Sequence, residues 1–259
     1  MKLFVFEGKK TEPYIFDTLF RLFFANAEDK VVCSYDNNIY ELYNAMEKLD
    51  WEADIVRLIK EKNVERGDHS LDAYERVSDF SEVYLMFDCD FHHHWFPLDE
   101  LTDKLAKMLE RFDNETENGK LFVSYPMVEA LRYTKQMVDA DYKDYVCKRE
   151  DCSRFKTMAA EFSRGVYPNW DFICLKANES PNEERMTKLK SNWTLANEQN
   201  VKKANWLCHD EDEVPESATD VEQKDIFTAQ KDKYIETDHP QVSILSGISL
   251  FLYDYFGHV

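Results

Sequence analysis

The sequence predicts an α/β fold: a mostly parallel sheet with helices on both faces, followed by a C-terminal helical region. Three observations carry this. Short apolar runs of strand length alternate with longer segments of helical periodicity through residues 1–135. Those runs are continuous, which is how strands buried on both faces of a parallel sheet read. Only 6 Gly and 7 Pro occur in 259 residues, so the elements are long and tight turns are few.

Lys2 to Phe6 is the first such run, stopped by Glu7-Gly8. Pro13 stands in a first-turn position, and Tyr14, Leu19, Leu22 and Phe23 follow close to helical spacing. Residues 31–35 predict a second strand, and residues 39–49 and 53–62 predict helices. Residues 63–80 are polar and predict a loop or insertion. Val83 to Phe87 is a third strand, ending at Asp88-Cys89-Asp90. Apolar residues at 98, 101, 105, 108, 109 and 112 mark an amphipathic helix. Leu121 to Val123 predicts a fourth strand, after which residues 127–133 resume as helix. Beyond about residue 136 strand signals fade: 141–208 reads mostly as helix, 209–220 as an acidic loop and 221–236 as helix. Val242 to Phe256 is an apolar closing segment expected to pack back on the core. This gives an α/β domain over 1–135 and a mainly helical region over 136–259 that completes the fold or docks a substrate or partner.

Hydrophobic residues make up 44% of the chain and aromatics 14%, enough for a sizeable core despite 32% charged residues. The formal net charge of −19 argues against a protein that coats nucleic acid or anionic lipid. It leaves room for an enzyme acting on nucleic acid, because bound divalent cations invert the field of an acidic site. No apolar stretch reaches the roughly 18 residues of a membrane span, and the opening residues lack a signal-type pattern. The six cysteines are scattered without CxxC spacing, as in a reducing compartment. A cytoplasmic protein with no membrane association is the expectation.

Two strand ends carry the chemistry. One closes on Glu7-Gly8-Lys9-Lys10-Thr11-Glu12 and the other on Asp88-x-Asp90. In a parallel sheet both sets of carboxylates emerge at the carboxyl edge, where open α/β sheets bind ligands. Side chains at i and i+2 of an extended segment point the same way, so Asp88 and Asp90 can address one cation together. Hard oxygen ligands suit Mg2+ or Mn2+. Acidic caps at strand ends, common in a chain with 51 Asp and Glu, are the plainer alternative.

FVFEGKKTEPYIF (residues 4–16) resembles the first motif of Toprim domains, specifically the RloB-like and OLD-type Toprim nucleases of bacterial phage defence. YLMFDCD (84–90) is similar to the second Toprim motif, and SYPMVEALRY (124–133) resembles the segment after the fourth strand of RloB-like proteins. The resemblance covers about half the chain. It implies a metal-dependent nuclease, a hydrolase of DNA or tRNA-like RNA, in which Glu7 is a metal ligand or general acid/base. It further implies Asp88 and Asp90 as metal ligands, with Glu12 and Glu129 contributing to a second Mg2+ or Mn2+. A late catalytic lysine of OLD-type enzymes has one candidate here, Lys156. Such effectors commonly work beside an ATPase, so an ATPase protein partner in antiviral defence is also implied.

Other readings of the same residues stay open. An apolar strand closing on DxD is also the nucleophile motif of haloacid-dehalogenase-like phosphohydrolases, in which the first Asp attacks phosphorus. A catalytically silent Toprim-like interaction module is the non-enzymatic alternative. Lys9 and Lys10 either meet a phosphate or are solvated loop lysines. His92, His93 and His94 are adjacent and cannot all face one ion, so a surface or groove-lining role is expected. Cys147, Cys152 and the Cys208-His209 pair do not match usual zinc spacings. Trp170, Trp193 and Trp206 either pack helices or stack bases. Basic residues are densest at Lys143, Lys148, Arg149, Arg154 and Lys156, and again from Arg185 to Lys203, which predicts a docking surface in the second half.

Overall fold

The computed structural model describes residues 1–24, 29–93, 96–162, 167 and 169–257. Its centre is a five-stranded sheet built from β1 (Lys2–Phe6), β2 (Lys30–Ser34), β3 (Glu82–Asp88), β4 (Asp113–Asn114) and β5 (Gly119–Ser124). The spatial order is β2-β1-β3-β5-β4, with β4 alone antiparallel. The α/β reading with a mostly parallel sheet therefore holds at the level of architecture.

Helices α1 (Thr11–Phe23), α2 (Ile39–Glu47), α3 (Ile55–Glu65) and α4 (Leu98–Arg111) connect the strands. Their starts follow local chemistry. Asn38 and Asp54 cap α2 and α3 by accepting from the Glu41 and Val56 N–H groups. Strand alternation divides the core in two. Phe4, Phe6, Tyr84 and Phe122 share one face, where their rings meet those of Phe16, Phe20 and Phe251. Leu3, Val5, Val83, Leu85, Phe87 and Val123 point the other way and are equally buried, so both faces are covered.

The second half is less regular than its sequence pattern suggests. Residues 141–208 hold 3-10 turns, β6 (Val146–Lys148), the short helix α5 (Phe155–Phe162) and then the 27-residue α6 (Glu183–His209). Pro181 and the Asn182 cap fix where α6 begins, because proline cannot continue a helix from before it. Residues 221–236 give α7 (Gln223–Gln230) and one wide π-type turn. β7 (Gln241–Ser243) pairs antiparallel with β6 into a second small sheet, and α8 (Gly247–Phe256) closes the chain against β3 and β5. One continuous hydrophobic cluster runs through residues of both halves.

The join between halves lies beside the carboxyl edge of the main sheet. Tyr125, just past β5, exchanges backbone hydrogen bonds of 2.8 and 2.9 Å with Leu245. Val123 N donates to the buried Gln223 Oε1 at 3.0 Å. Within the helical half, Lys203 is buried and donates to the Tyr142 and Tyr145 carbonyls, and burial holds its amine well below the ordinary lysine value. Among the described residues no helix is long and apolar enough to cross a membrane.

Candidate active site

β1 has β2 on one side and β3 on the other, so the chain reverses its direction of progress across the sheet at β1. A topological switch point opens a crevice at the carboxyl ends of the two strands that flank it. The two motifs end there. Glu7 follows β1 directly, and its Oε2 accepts from Asp88 N at 2.9 Å. Asp88 closes β3, and its Oδ1 accepts from Val128 N at 2.8 Å, in the 3-10 turn Val128–Arg132. Glu12 turns back from the first turn of α1 so that its Oε1 accepts from Gly8 N at 3.3 Å. A Cβ on Gly8 would stand 3.1 Å from Glu12 Oε2, so the glycine admits this carboxylate. Asp90 takes a left-handed backbone (φ 47°), which Asp tolerates better than most residues. Glu129 is 3% exposed and its Oε1 forms an ion pair with Lys156 Nζ at 3.5 Å.

The carboxylates act on one another's charge. Burial, then the Asp90 and Glu12 charges, push the Glu7 carboxyl well above its ordinary value. Burial, then Glu7, Glu12, Asp90 and Glu129, do the same to Asp88. Burial, with a contribution from Glu129, raises Glu12, and burial raises Asp90 against the pull of His92 and His93. Groups with raised folded-state values stabilise the fold below their unfolded values, and that contribution is lost as pH rises through the folded ones. The metal-free protein should accordingly melt at a lower temperature at pH 8 than at mildly acidic pH. A melting temperature that climbs steadily from mildly acidic pH to pH 8 without metal would contradict this arrangement.

The turn after Asp88 is held from two sides. Tyr40, buried on α2, donates to the Cys89 carbonyl at 2.8 Å. Arg149, just past β6, donates through Nε to Phe91 O at 3.2 Å and through Nη2 to His93 O at 3.1 Å. Arg149 is thus an internal clamp. Truncation should free the two carbonyls and loosen the turn, so Arg149→Ala is expected to speed amide exchange across residues 89–93 while α6 and α8 keep their protection. Unchanged exchange there would remove the clamp. Arg132 donates to the Lys156 carbonyl at 3.2 Å and lies over the Trp170 ring, so it orders the start of α5 that carries Lys156.

Glu7, Glu12, Asp88, Asp90, Glu129 and Lys156 therefore come from five places in the sequence to one edge. Other candidates disperse. Trp193 is fully buried and donates to Ile173 O, while Lys143 covers the Trp206 ring. His92 lies 4.0 Å from Asp90, His93 stacks on Phe96, and His94 is outside the described residues. Cys147 and Cys152 touch at 3.5 Å as buried thiols. Arg154 pairs with Asp151, and Arg185 with Glu179. Tyr40, Arg132 and the clamping role of Arg149 had no sequence signal, because each acts through a carbonyl that only the fold brings near.

Among the described residues no three His, Cys, Asp or Glu side chains converge as a formed metal-binding group. The donor chemistry nevertheless fits a hard divalent ion. Several largely buried carboxylates repel one another at the sheet edge, and a cation relieves that repulsion. Comparison of the chain with protein-family models, with curated proteins and with solved structures gives no match.

Proposed function

We propose that this chain is a Mg2+- or Mn2+-dependent nuclease of Toprim type. The observation that carries the reading is the gathering of Glu7, Glu12, Asp88, Asp90 and Glu129 at the β1/β3 switch point, with Lys156 against Glu129. Glu7, Asp88 and Asp90 are the residues that would hold one ion, with Glu12 and Glu129 toward a second. Bound divalent ions there would neutralise charge on a phosphoryl group and lower the pKa of an attacking water.

The chain's own residues do the rest. Main-chain N–H groups of Asp88, Val128 and Gly8 each fix one carboxylate oxygen, so the acids are oriented before any ligand arrives. Glu7, whose carboxyl burial and then the Asp90 charge push well above its ordinary value, is the acid suited to take up and return a proton. Lys156, 70% exposed, has an ammonium that can reach a phosphate oxygen from the solvent side of Glu129. By resemblance the reading extends to a phage-defence effector working with an ATPase partner.

Purified protein incubated with single-stranded DNA, double-stranded DNA and tRNA, with Mg2+, Mn2+ or chelator, tests the reading. Cleavage of at least one substrate that needs the metal is expected. No cleavage of any of them would move the chain toward the silent-module alternative. Release of phosphate from a monoester alone would move it toward the phosphohydrolase one.

A further inference from the structure

A second charge cluster abuts the first and has the opposite sign. Asp36, just past β2, donates its backbone N–H to Glu7 O at 2.8 Å, so it lies directly beside the carboxylate crevice. Three cations surround it. Lys9 Nζ lies 2.8 Å and Arg66 Nη1 3.4 Å from Asp36 Oδ2, and Arg66 also donates to the Tyr35 and Asp36 carbonyls. Lys62, one turn before Arg66 on the same helical rim, sits 3.4 Å above the centre of the Tyr35 ring. It forms no ion pair among the described residues.

One half-exposed carboxylate does not balance three cations, and Lys62 is the one left over. Burial, and then the Arg66 charge, push its ammonium down to about 8 against the opposing pull of Glu41 and Asp36. This is the same imbalance, inverted, that the carboxylates show across the Glu7–Asp36 hydrogen bond. On a chain of net charge −19, cations gathered at the sheet edge make a local positive patch that favours a partner carrying negative charge.

We infer that Lys9, Lys62 and Arg66 form a phosphate-binding rim that receives the backbone of a nucleic acid strand beside the carboxylate crevice. The inference rests on the nuclease reading for the identity of the polyanion, and its charge arrangement stands without any metal. The rim belongs to the first half of the chain, beside the strand ends that carry the carboxylates.

The test measures binding of a fluorescent oligothymidylate by anisotropy, in chelator, across a range of salt concentrations. Phosphate contacts make log K fall with log salt by about 0.7 per contact for single strands. Lys62→Gln removes a side chain that makes no hydrogen bond among the described residues, so it should fold normally and weaken binding about threefold to tenfold, with a slope shallower by roughly one contact. Asp36→Asn keeps a residue tolerant of the left-handed backbone at φ 55° and removes the negative charge, so it should strengthen binding. Lys224→Gln, far from the rim and paired with Glu222, should change nothing. Equal affinity in wild type, Lys62→Gln and Asp36→Asn overturns the rim, as does a wild type that does not bind the oligonucleotide at all. Neither result touches the cation reading, which magnesium-dependent melting judges separately.

Discussion

Glu7→Gln should lower metal-dependent cleavage by about 10²–10⁴, the range by which positioned general acids and bases act, and more if Glu7 is also a ligand. The variant is nearly isosteric. Its amide oxygen can still accept from Asp88 N, where Glu7 Oε2 now does at 2.9 Å, so the edge of the sheet should keep its shape. It also removes one negative charge from a crowded, largely desolvated set, in which Asp90 and Glu12 press on Glu7. Loss of activity should therefore come with equal or higher thermal stability in the absence of metal. Turnover within threefold of wild type would exclude Glu7 from the chemistry, and a large fall in melting temperature would mean that it serves the fold.

Gly247→Ala should be among the most destabilising single-methyl changes in the chain. A Cβ there would lie 2.7 Å from Val123 C, 2.8 Å from Val123 O and 3.1 Å from Ser124 N. All three are main-chain atoms of β5, which cannot rotate aside as a flexible side chain can. Overpacking typically costs about 1–3 kcal/mol, and against backbone the upper end or beyond is expected. For a domain of this size that corresponds to a fall of roughly 6–12 °C in melting temperature. Gly67 provides the contrast: its φ of 76° strains an alanine, yet nothing lies within 4 Å of the added methyl. Gly67→Ala should cost only about 1 kcal/mol. Equal effects at the two glycines would contradict the close approach of α8 to β5.

What the sequence revealed followed from how much signal each element carries alone. β1, β3 and β5 are continuous apolar runs, buried on both faces, and their boundaries were legible to within about two residues. The amphipathic α4 was equally plain. β6 and β7 were not: each is three residues long, and Val146 pairs with Ser243 across almost a hundred positions. Neither segment has a periodicity of its own, so only the tertiary pairing makes them strands. The two-residue β4 escaped for the same reason.

The site was legible in a similarly uneven way. Asp88 announced itself at the close of β3 and Glu7 at the end of β1, whereas Asp90 lies past the strand on a left-handed backbone, so strand alternation does not set its direction. Glu12, Glu129 and Lys156 entered only through family resemblance, since no spacing rule links residues so far apart. The structure brings Lys156 to Glu129 by way of Arg132, which ties the 3-10 turn after β5 to the start of α5. Within the basic stretch that read as a docking surface, the clamping role of Arg149 was not legible, because exposed arginines and internal clamps look alike in sequence. Its guanidinium instead serves two carbonyls of the turn after Asp90.

The central claim is that the carboxylates at the switch point bind a divalent cation, and melting of wild type and Asp88→Asn with and without Mg2+ tests it most directly. Asp88 feels Glu7, Glu12, Asp90 and Glu129 together, so neutralising it should raise the metal-free melting temperature, by about 2–4 °C for each kcal/mol of repulsion removed. A ligand that binds only the folded state stabilises it in proportion to the logarithm of its concentration, so wild type should gain stability as Mg2+ is added. Asp88→Asn should lose that gain. A wild-type protein indifferent to both Mg2+ and Mn2+, or an Asp88→Asn variant that responds to them as wild type does, would contradict the account.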